Sequence, residues 1–219
     1  MGIPTAPGYE QPRLIAVEGP IRVGKSTLAR VLAERLHARL VADTPDNPHL
    51  ADFYSEKPGA ALRAQMHFLL SRFNQLANLG LERDPQPVVC DFLFERDHIF
   101  ASLTLEDADL EVYERYFDLF RGQVPVPDLV LYLQATPKVL RQRLKKKNDS
   151  RERDIADEYL EEVVEAYEHF FFRYDAANLL VIDTNEIDFV ERSDDLRELL
   201  NRLTQPVKGT QYFLPLGPE

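Results

Sequence analysis

The residue types and spacing at positions 19–26 are those of a loop that binds phosphate. Gly19-Pro-Ile-Arg-Val-Gly24-Lys25-Ser26 fits the pattern GxxxxGK[ST], between an apolar run and an amphipathic stretch. Glycines let backbone N–H groups turn toward phosphate oxygens, and the start of the following helix adds the positive end of its dipole. Lys25 is placed to reach the β- and γ-phosphates, and the Ser26 hydroxyl to ligate Mg²⁺. The predicted nucleotide-binding residues here are Gly19, Pro20, Ile21, Arg22, Val23, Gly24, Lys25, Ser26 and Thr27.

Two aspartates, Asp43 and Asp91, follow short apolar runs further along the chain. We expect both runs to be strands of a parallel sheet, which places the two carboxylates at the edge where ligands bind in such folds. There Asp43 is positioned to accept the proton of a hydroxyl that attacks a bound phosphate, and Asp91 to hold Mg²⁺ through water. Asp46 is the alternative proton acceptor. A purely structural role for Asp43, as the cap of the next turn, also stays open.

Short apolar runs alternate with longer helical patterns along the chain. The runs predict five strands, at 14–17, 40–42, 87–91, 129–133 and 179–183. The spacing of apolar residues predicts helices at 26–38, 58–81, 94–103, 108–120, 136–147, 156–174 and 194–203. Continuous Val, Ile and Leu are typical of strands buried on both faces, so we predict an α/β fold, a five-stranded parallel sheet with helices on both faces. We expect a flexible arm at 1–12, one domain at 13–205 and a tail at 206–219, whose apolar Tyr212-Phe213-Leu214 favours docking on the body.

Composition excludes several classes of protein. The net charge of −11 argues against a nucleic-acid polymer as partner, because such a binder needs a positive surface. The single cysteine, Cys90, excludes a disulfide framework, and the five histidines show no metal-binding spacing. No apolar stretch approaches the roughly 18 residues of a membrane span, and the first residues are not typical of a signal peptide. We therefore expect a cytoplasmic protein.

Four segments of the chain together resemble the deoxynucleoside kinase family, especially its bacterial deoxyadenosine/deoxyguanosine kinase-like branch. They are Val17-Glu-Gly-Pro-Ile21 with Lys25-Ser26, NPHLADFY at 47–54, QMHFLLSRF at 65–73 and ERDI at 152–155. Their order and spacing extend the resemblance from residue 14 to about residue 188. The family usually has Gly where Arg22 stands, and the sequence leaves open whether this cation contacts phosphate or crowds the site. It usually has Glu as the base where Asp43 stands.

The resemblance implies roles for residues outside the loop. Gln65 matches the family's amide that hydrogen-bonds the nucleoside base, and Phe100 fits its base-stacking aromatic. Tyr54 and Glu152 match positions that hold the deoxyribose 3′-OH. Most members follow the acidic residue of the third strand with Arg-Ser, but here Phe92-Leu93 follow Asp91. We therefore expect Arg96, about one helical turn further on, to supply the positive charge near the transferred phosphoryl group.

A basic stretch between two predicted helices, at 141–151, lies where P-loop kinases carry a short mobile lid. Closure of such a lid would bring cations to the phosphates and exclude water. The family's lid has more arginines than this one. We name Arg143, Lys147 and Arg151 as the candidate phosphate contacts.

The resemblance implies an ATP- and Mg²⁺-dependent kinase of deoxynucleosides that acts in nucleotide salvage and forms a homodimer through long helices. The base preference stays open, because one Gln pairs with purines or pyrimidines. Two alternatives remain. A nucleoside monophosphate kinase of the thymidylate type would need extra acceptor-side cations, for which Arg72 and Arg96 are candidates. A P-loop protein that binds nucleotide to regulate a partner is favoured by the departures at Arg22, Asp43 and Phe92-Leu93.

Overall fold

The computed structural model describes residues 12–44, 46–147 and 155–215. The strands in these ranges are β1 (Leu14–Glu18), β2 (Arg39–Val41), β3 (Val88–Cys90), β4 (Leu129–Gln134), β5 (Asn178–Asp183) and β6 (Thr210–Phe213). They form a parallel sheet in the order β2-β3-β1-β4-β5-β6. The predicted α/β class with a parallel sheet is therefore confirmed.

The sheet has six strands rather than the five predicted, because part of the predicted C-terminal tail forms β6. This strand pairs with β5, with Tyr212 opposite Val181. Its residues alternate between exposed and half-buried. As a strand at the edge of the sheet, β6 lacks the continuous apolar run that marks the strands buried on both faces.

Helices cover both faces of the sheet. In chain order they are α1 (Lys25–Leu36), α2 (Leu50–Tyr54), α3 (Ala60–Ala77), α4 (Arg96–Thr104), α5 (Asp107–Arg121), α6 (Pro137–Lys147), α7 (Asp157–Phe172) and α8 (Ser193–Arg202). The short α2 has no counterpart among the predicted helices. None of the helices in the described ranges combines the length and apolarity that a membrane crossing requires.

Alternate residues of the central strand β1 point into different apolar clusters. Ile15 and Val17 belong to a cluster that includes residues of α1, α6 and α8. Leu14 packs in a cluster with residues of α3 and α5, and Ala16 in a cluster with residues of α4 and α7. Because both faces of β1 are covered, all five of its residues are buried.

The order of the strands brings several of the predicted site residues to one edge of the sheet. β2, β3 and β1 are neighbours, with Val41 opposite Cys90 and Cys90 opposite Ala16. In parallel strands the carboxyl ends share one edge, so the segments after these strands meet there. Those segments carry Asp43, Asp91 and the loop at 19–26.

Candidate active site

Two glycines shape the loop between β1 and α1. Gly19 has φ 147°, and a Cβ on it would collide with the carbonyl oxygen of Leu133 at the end of β4. Gly24 has φ 114°, and a Cβ on it would lie 2.6 Å from the ring of Phe189. Both positions require glycine, because the backbone angle and the close neighbour each exclude a side chain.

Arg22 departs from the backbone preference of its residue type. Its φ is 60°, in the left-handed region, and it lines the cavity next to the loop. A residue with a Cβ in that region costs roughly 1–2 kcal/mol, whereas glycine costs little. The glycine that the family usually carries at this position therefore matches the backbone that the loop adopts.

Lys25, the first residue of α1, points back into its own loop. Its Nζ donates to the carbonyl oxygens of Gly19 at 2.6 Å and Pro20 at 2.9 Å, and the side chain is buried. Burial, together with the charge of Arg96, lowers the pKa of the Lys25 ammonium to about 7. A phosphate in the cavity would favour the protonated form, so the charge of Lys25 depends on what is bound.

Asp43 is the centre of a network of charged side chains at the end of β2. Its carboxylate accepts two hydrogen bonds of 3.0 Å from Arg72 and one of 3.1 Å from Arg96. Arg72 also forms an ion pair with the buried Asp97. Burial opposes the ionisation of Asp43, but Arg96 and Arg72 outweigh it and hold the pKa of this carboxyl below its usual value. The network balances two carboxylates against two guanidinium groups.

Asp91 joins the network through the backbone. The N–H of Asp43 donates to Oδ1 of Asp91 at 2.5 Å, which ties the ends of β2 and β3 together. Asp91 is 5% exposed and lines the same cavity as Ser26. A carboxylate and a hydroxyl oxygen are ligands of the kind that Mg²⁺ accepts alongside phosphate oxygens and water.

A cavity of about 600 Å³ lies against the loop at 19–26. It brings together many of the residues predicted from the sequence: Ile21, Arg22, Val23, Gly24, Lys25, Ser26, Thr27, Asp43, Asp91, Arg96, Arg143 and Lys147. Its lining also includes the segment 188–191 and Lys146. The volume is in the range of nucleotide- and drug-sized sites.

Comparison with known proteins identifies the family. The family model described as "Deoxynucleoside kinase" matches residues 15–208. The chain belongs to the deoxynucleoside kinase family. Its activity is the phosphoryl transfer to a deoxynucleoside that defines this family, which confirms the resemblance found in the sequence.

Deoxynucleoside kinases of several organisms are similar to this chain. The deoxyguanosine kinase of Bacillus subtilis is 30% identical over 84% of this chain and 93% of its own length. The deoxyadenosine kinase of Dictyostelium discoideum is 30% identical over 93% of this chain and 83% of its own length. A solved deoxyadenosine kinase from M. mycoides with products bound shares the fold, with a TM-score of 0.72 at 24% identity over 87% of this chain and 97% of that one.

Three of the residues that the family resemblance assigns to the deoxynucleoside lie on α2, α3 and α4, outside the lining of the cavity: Tyr54, Gln65 and Phe100. Gln65 on α3 is buried and donates to Oγ1 of Thr104 at 2.9 Å. Thr104 in turn donates to the carbonyl oxygen of Phe100 at 2.8 Å. The guanidinium of Arg96 lies over the ring of Phe100, 5.6 Å from its centroid. This chain of contacts links Gln65 and Phe100 to the Asp43 network. Tyr54 on α2 is 75% exposed.

Arg143, on α6, holds a loop of the protein. It donates to Oγ1 and the carbonyl oxygen of Thr184, at 3.0 and 2.6 Å, and to the carbonyl oxygen of Ile187 at 3.0 Å. Its predicted phosphate contact stays a prediction, and that contact would require these bonds to be exchanged. Lys147 lines the cavity. Arg151 and Glu152 lie outside the described residues.

Three side chains of the site have no role in the deoxynucleoside kinase predicted from the sequence. Asp97 and Arg72 belong to the Asp43 network, and the sequence names Arg72 only as an acceptor-side cation of the alternative monophosphate kinase. Oδ2 of Asp97 is buried without a hydrogen-bond partner among the described residues. Phe189 lines the cavity beside Gly24. The signal for Arg72 was its place in the 65–73 motif, but the sequence shows none for Phe189.

Proposed function

We propose that the protein transfers the γ-phosphoryl group of ATP, with Mg²⁺, to the 5′-hydroxyl of a purine deoxynucleoside. The observation that carries the proposal is the cavity in which Asp43 meets the loop at 19–26, called the P-loop below. A hydroxyl acceptor loses a proton as it attacks phosphorus, so a carboxylate beside the P-loop supplies what this acceptor needs. The purine preference rests on the names of the two relatives that are 30% identical.

In this proposal Asp43 takes the proton of the 5′-hydroxyl, and the cations around it stabilise the charge of the transferring phosphoryl group. Arg96 is hydrogen-bonded to Asp43, and both residues line the cavity, so the proposed base and a cation lie side by side. Lys25 contributes a second positive charge from the P-loop. Phosphoryl transfer needs mainly positioning and charge stabilisation from the protein, and this arrangement provides both.

Ser26 and Asp91 would hold Mg²⁺ in the ATP complex. The metal, when bound, neutralises charge on the β- and γ-phosphate oxygens. The N–H of Asp43 donates to Oδ1 of Asp91 and so orients this carboxylate, whose Oδ2 is not used by that bond.

The remaining assignments concern recognition of the donor nucleotide and the acceptor deoxynucleoside. We assign the acceptor base to Gln65 and Phe100, and the 3′-hydroxyl to Tyr54 and Glu152, as the resemblance implies. We assign the donor phosphates to the loop at 19–27 and to the lid residues Arg143, Lys147 and Arg151.

The monophosphate kinase alternative loses its main support in the structure. It requires free positive charge for the acceptor phosphate, and the candidates are Arg72 and Arg96. Both guanidinium groups bind Asp43, and Arg72 also binds Asp97. An acceptor phosphate would therefore be placed next to carboxylates, which disfavours it electrostatically.

An ADP-release assay with the four deoxynucleosides and the four deoxynucleoside monophosphates tests the proposal. We expect turnover with MgATP and deoxyadenosine or deoxyguanosine, and little with the monophosphates. Turnover with monophosphates alone would contradict the acceptor assignment. Binding of ATP without turnover of any acceptor would favour the regulatory alternative. The proposal includes a cytoplasmic location.

We also propose that the protein is a homodimer formed through α3 and α5. Val112, Tyr116 and Leu119 on one face of α5 are exposed, as is Leu70 on α3. The two helices are joined beside this face by Phe73 and Phe120, whose stacked rings have centroids 4.5 Å apart. Exposed apolar residues on neighbouring helices are typical of an interface between copies of a protein.

Leu119→Asp is expected to shift the protein from a dimer to a monomer in light scattering coupled to gel filtration. A buried charge without a partner at the centre of an apolar interface outweighs the gain of association. Phe172→Asp is the control, because Phe172 is also an exposed apolar residue but lies at the end of α7. A wild-type monomer, or an unchanged dimer in Leu119→Asp, would contradict the proposed interface.

A further inference from the structure

Glu18, the last residue of β1, is a carboxylate that the proposed reaction does not use. It is completely shielded from solvent, with 0% exposure. Its Oε1 accepts hydrogen bonds from the N–H of Gly19 at 2.8 Å and the hydroxyl of Tyr167 at 3.0 Å. Its Oε2 accepts a bond from the N–H of Leu93 at 2.8 Å. A buried carboxylate is costly without such donors, and here it has donors from three separate segments.

Each of these three segments leads to a part of the site. Gly19 opens the P-loop. Leu93 lies between Asp91, the proposed Mg²⁺ ligand, and Arg96, the cation on Asp43. Tyr167 is on α7, the helix that follows the lid segment. One carboxylate thus joins the donor-phosphate loop, the segment that carries the proposed metal ligand and the cation, and α7.

The charge of Glu18 acts on the site as well as its hydrogen bonds. Burial lowers the pKa of Arg96, but the charged groups around it outweigh burial and raise this pKa. The largest of these raising effects comes from the charge of Glu18. Burial and the charge of Glu18 also raise the pKa of Tyr167 far above its usual value, so this hydroxyl stays protonated and remains a donor.

The ring of Tyr167 extends these contacts toward the acceptor side. It packs edge-on against Phe100, with centroids 6.2 Å apart, and is stacked with Tyr132 at 6.3 Å. Phe100 is the residue assigned to the acceptor base and lies under Arg96. The hydroxyl of Tyr167 therefore contacts the residue that precedes the donor-phosphate loop, and its ring contacts the residue assigned to the acceptor base.

We propose that Glu18 and Tyr167 form a positioning pair that aligns the P-loop with the segment bearing Asp91 and Arg96. The inference deepens the proposed function and rests on it. Neither side chain lines the cavity, so both act through the groups that they hold. Small misplacement of reacting groups lowers the rate of phosphoryl transfer strongly, because that reaction depends on positioning.

Glu18→Gln is expected to lower kcat by about 10- to 100-fold and to weaken ATP binding by about 10-fold, as misplaced groups do. The amide removes the charge, and its NH₂ group faces a backbone N–H whichever way it is turned. The KM for the deoxynucleoside is expected to stay within about two-fold, because Gln65 on α3 has no bond to Glu18. A merely structural carboxylate would lower the melting temperature without changing kcat per folded molecule or ATP affinity.

Tyr167→Phe removes only the hydroxyl and is expected to lower kcat by about 10-fold, as the loss of a hydrogen bond to a charged group does. In the double variant with Glu18→Gln the loss should equal that of Glu18→Gln alone, since the Tyr167 hydroxyl acts on the site only through its bond to Glu18. Tyr174→Phe is the matched control. The Tyr174 hydroxyl is also buried, but it has no hydrogen-bond partner among the described residues.

Steady-state kinetics, ATP calorimetry and thermal melting of these variants decide the matter. Values of kcat and ATP affinity for Glu18→Gln within about two-fold of wild type would overturn the proposal, as would fully additive losses in the double variant. If Glu18→Gln does not fold, wild-type kinetics and ATP affinity in Tyr167→Phe overturn it. Wild-type protein without turnover would contradict the proposed function instead, and ATP affinity would still test the pair.

Discussion

Replacing Asp43 with asparagine is expected to lower kcat by about 10²- to 10⁴-fold while ATP affinity stays within about three-fold of wild type. The amide cannot take the proton of the 5′-hydroxyl, yet it is close to the carboxylate in size. The P-loop is untouched, so the donor still binds. Arg72 and Arg96 each lose a counter-ion, but Arg72 keeps Asp97, and the charge of Glu18 still favours ionised Arg96. We therefore expect a lower melting temperature with the fold retained.

The neighbouring aspartate provides the control for this experiment. Asp46 is the alternative base named from the sequence, and Asp46→Asn should leave kcat within about two-fold of wild type. The pH dependence is a second check on Asp43. Because Arg96 and Arg72 hold its pKa below the usual value, Asp43 stays ionised as pH falls from 8 to 5 and should cause no loss of turnover there. Near wild-type turnover in Asp43→Asn, with loss in Asp46→Asn, would move the base to Asp46.

The edge of the sheet that carries the proposed site was predictable, because local sequence signals are enough to define it. GxxxxGK[ST] indicates the loop, and the apolar runs before Asp43 and Asp91 predict parallel strands. Parallel strands end at a common edge, so Lys25, Asp43 and Asp91 had to be neighbours once the strands were correct. All three residues line one cavity.

The contacts around Asp43 were not predictable, because they join residues that lie far apart in the sequence. Arg72 and Asp43 are 29 residues apart, and Arg96 and Asp43 are 53 apart. No local pattern states that two arginines on different helices converge on one carboxylate. The same limit applies to Arg143, whose place in a basic stretch indicates a lid cation, whereas its bonds to Thr184 and Ile187 depend on how the loop after β5 folds. The edge strand β6 escaped prediction for a different reason, namely its exposed and alternating side chains.

Replacing Lys25 with methionine is expected to weaken ATP binding by about 100-fold and to reduce kcat by about 10²- to 10³-fold, the effect of losing one preorganised charge contact. In the proposed function Lys25 contacts the β- and γ-phosphates, as the lysine of a GxxxxGK[ST] loop does. Methionine fills a similar volume without charge, so the fold should persist. Calorimetry measures the affinity, and the ADP-release assay measures kcat. ATP affinity within about three-fold of wild type would show that the phosphates do not bind at this lysine.

Because the pKa of Lys25 is lowered, we expect ATP binding to be coupled to the uptake of a proton. In the free protein, burial and the charge of Arg96 lower the pKa of Lys25 to about 7. We therefore expect Lys25 to be neutral in most molecules at pH 8 and charged in most molecules at pH 6. The negative charge of ATP favours the ammonium, and binding should therefore take up close to one proton at pH 8 and little at pH 6. Calorimetry in buffers of different ionisation enthalpy measures this uptake. Lys25→Arg, with a charge that does not titrate, should bind ATP without it, and equal uptake at both pH values would contradict a lysine that is neutral until phosphate arrives.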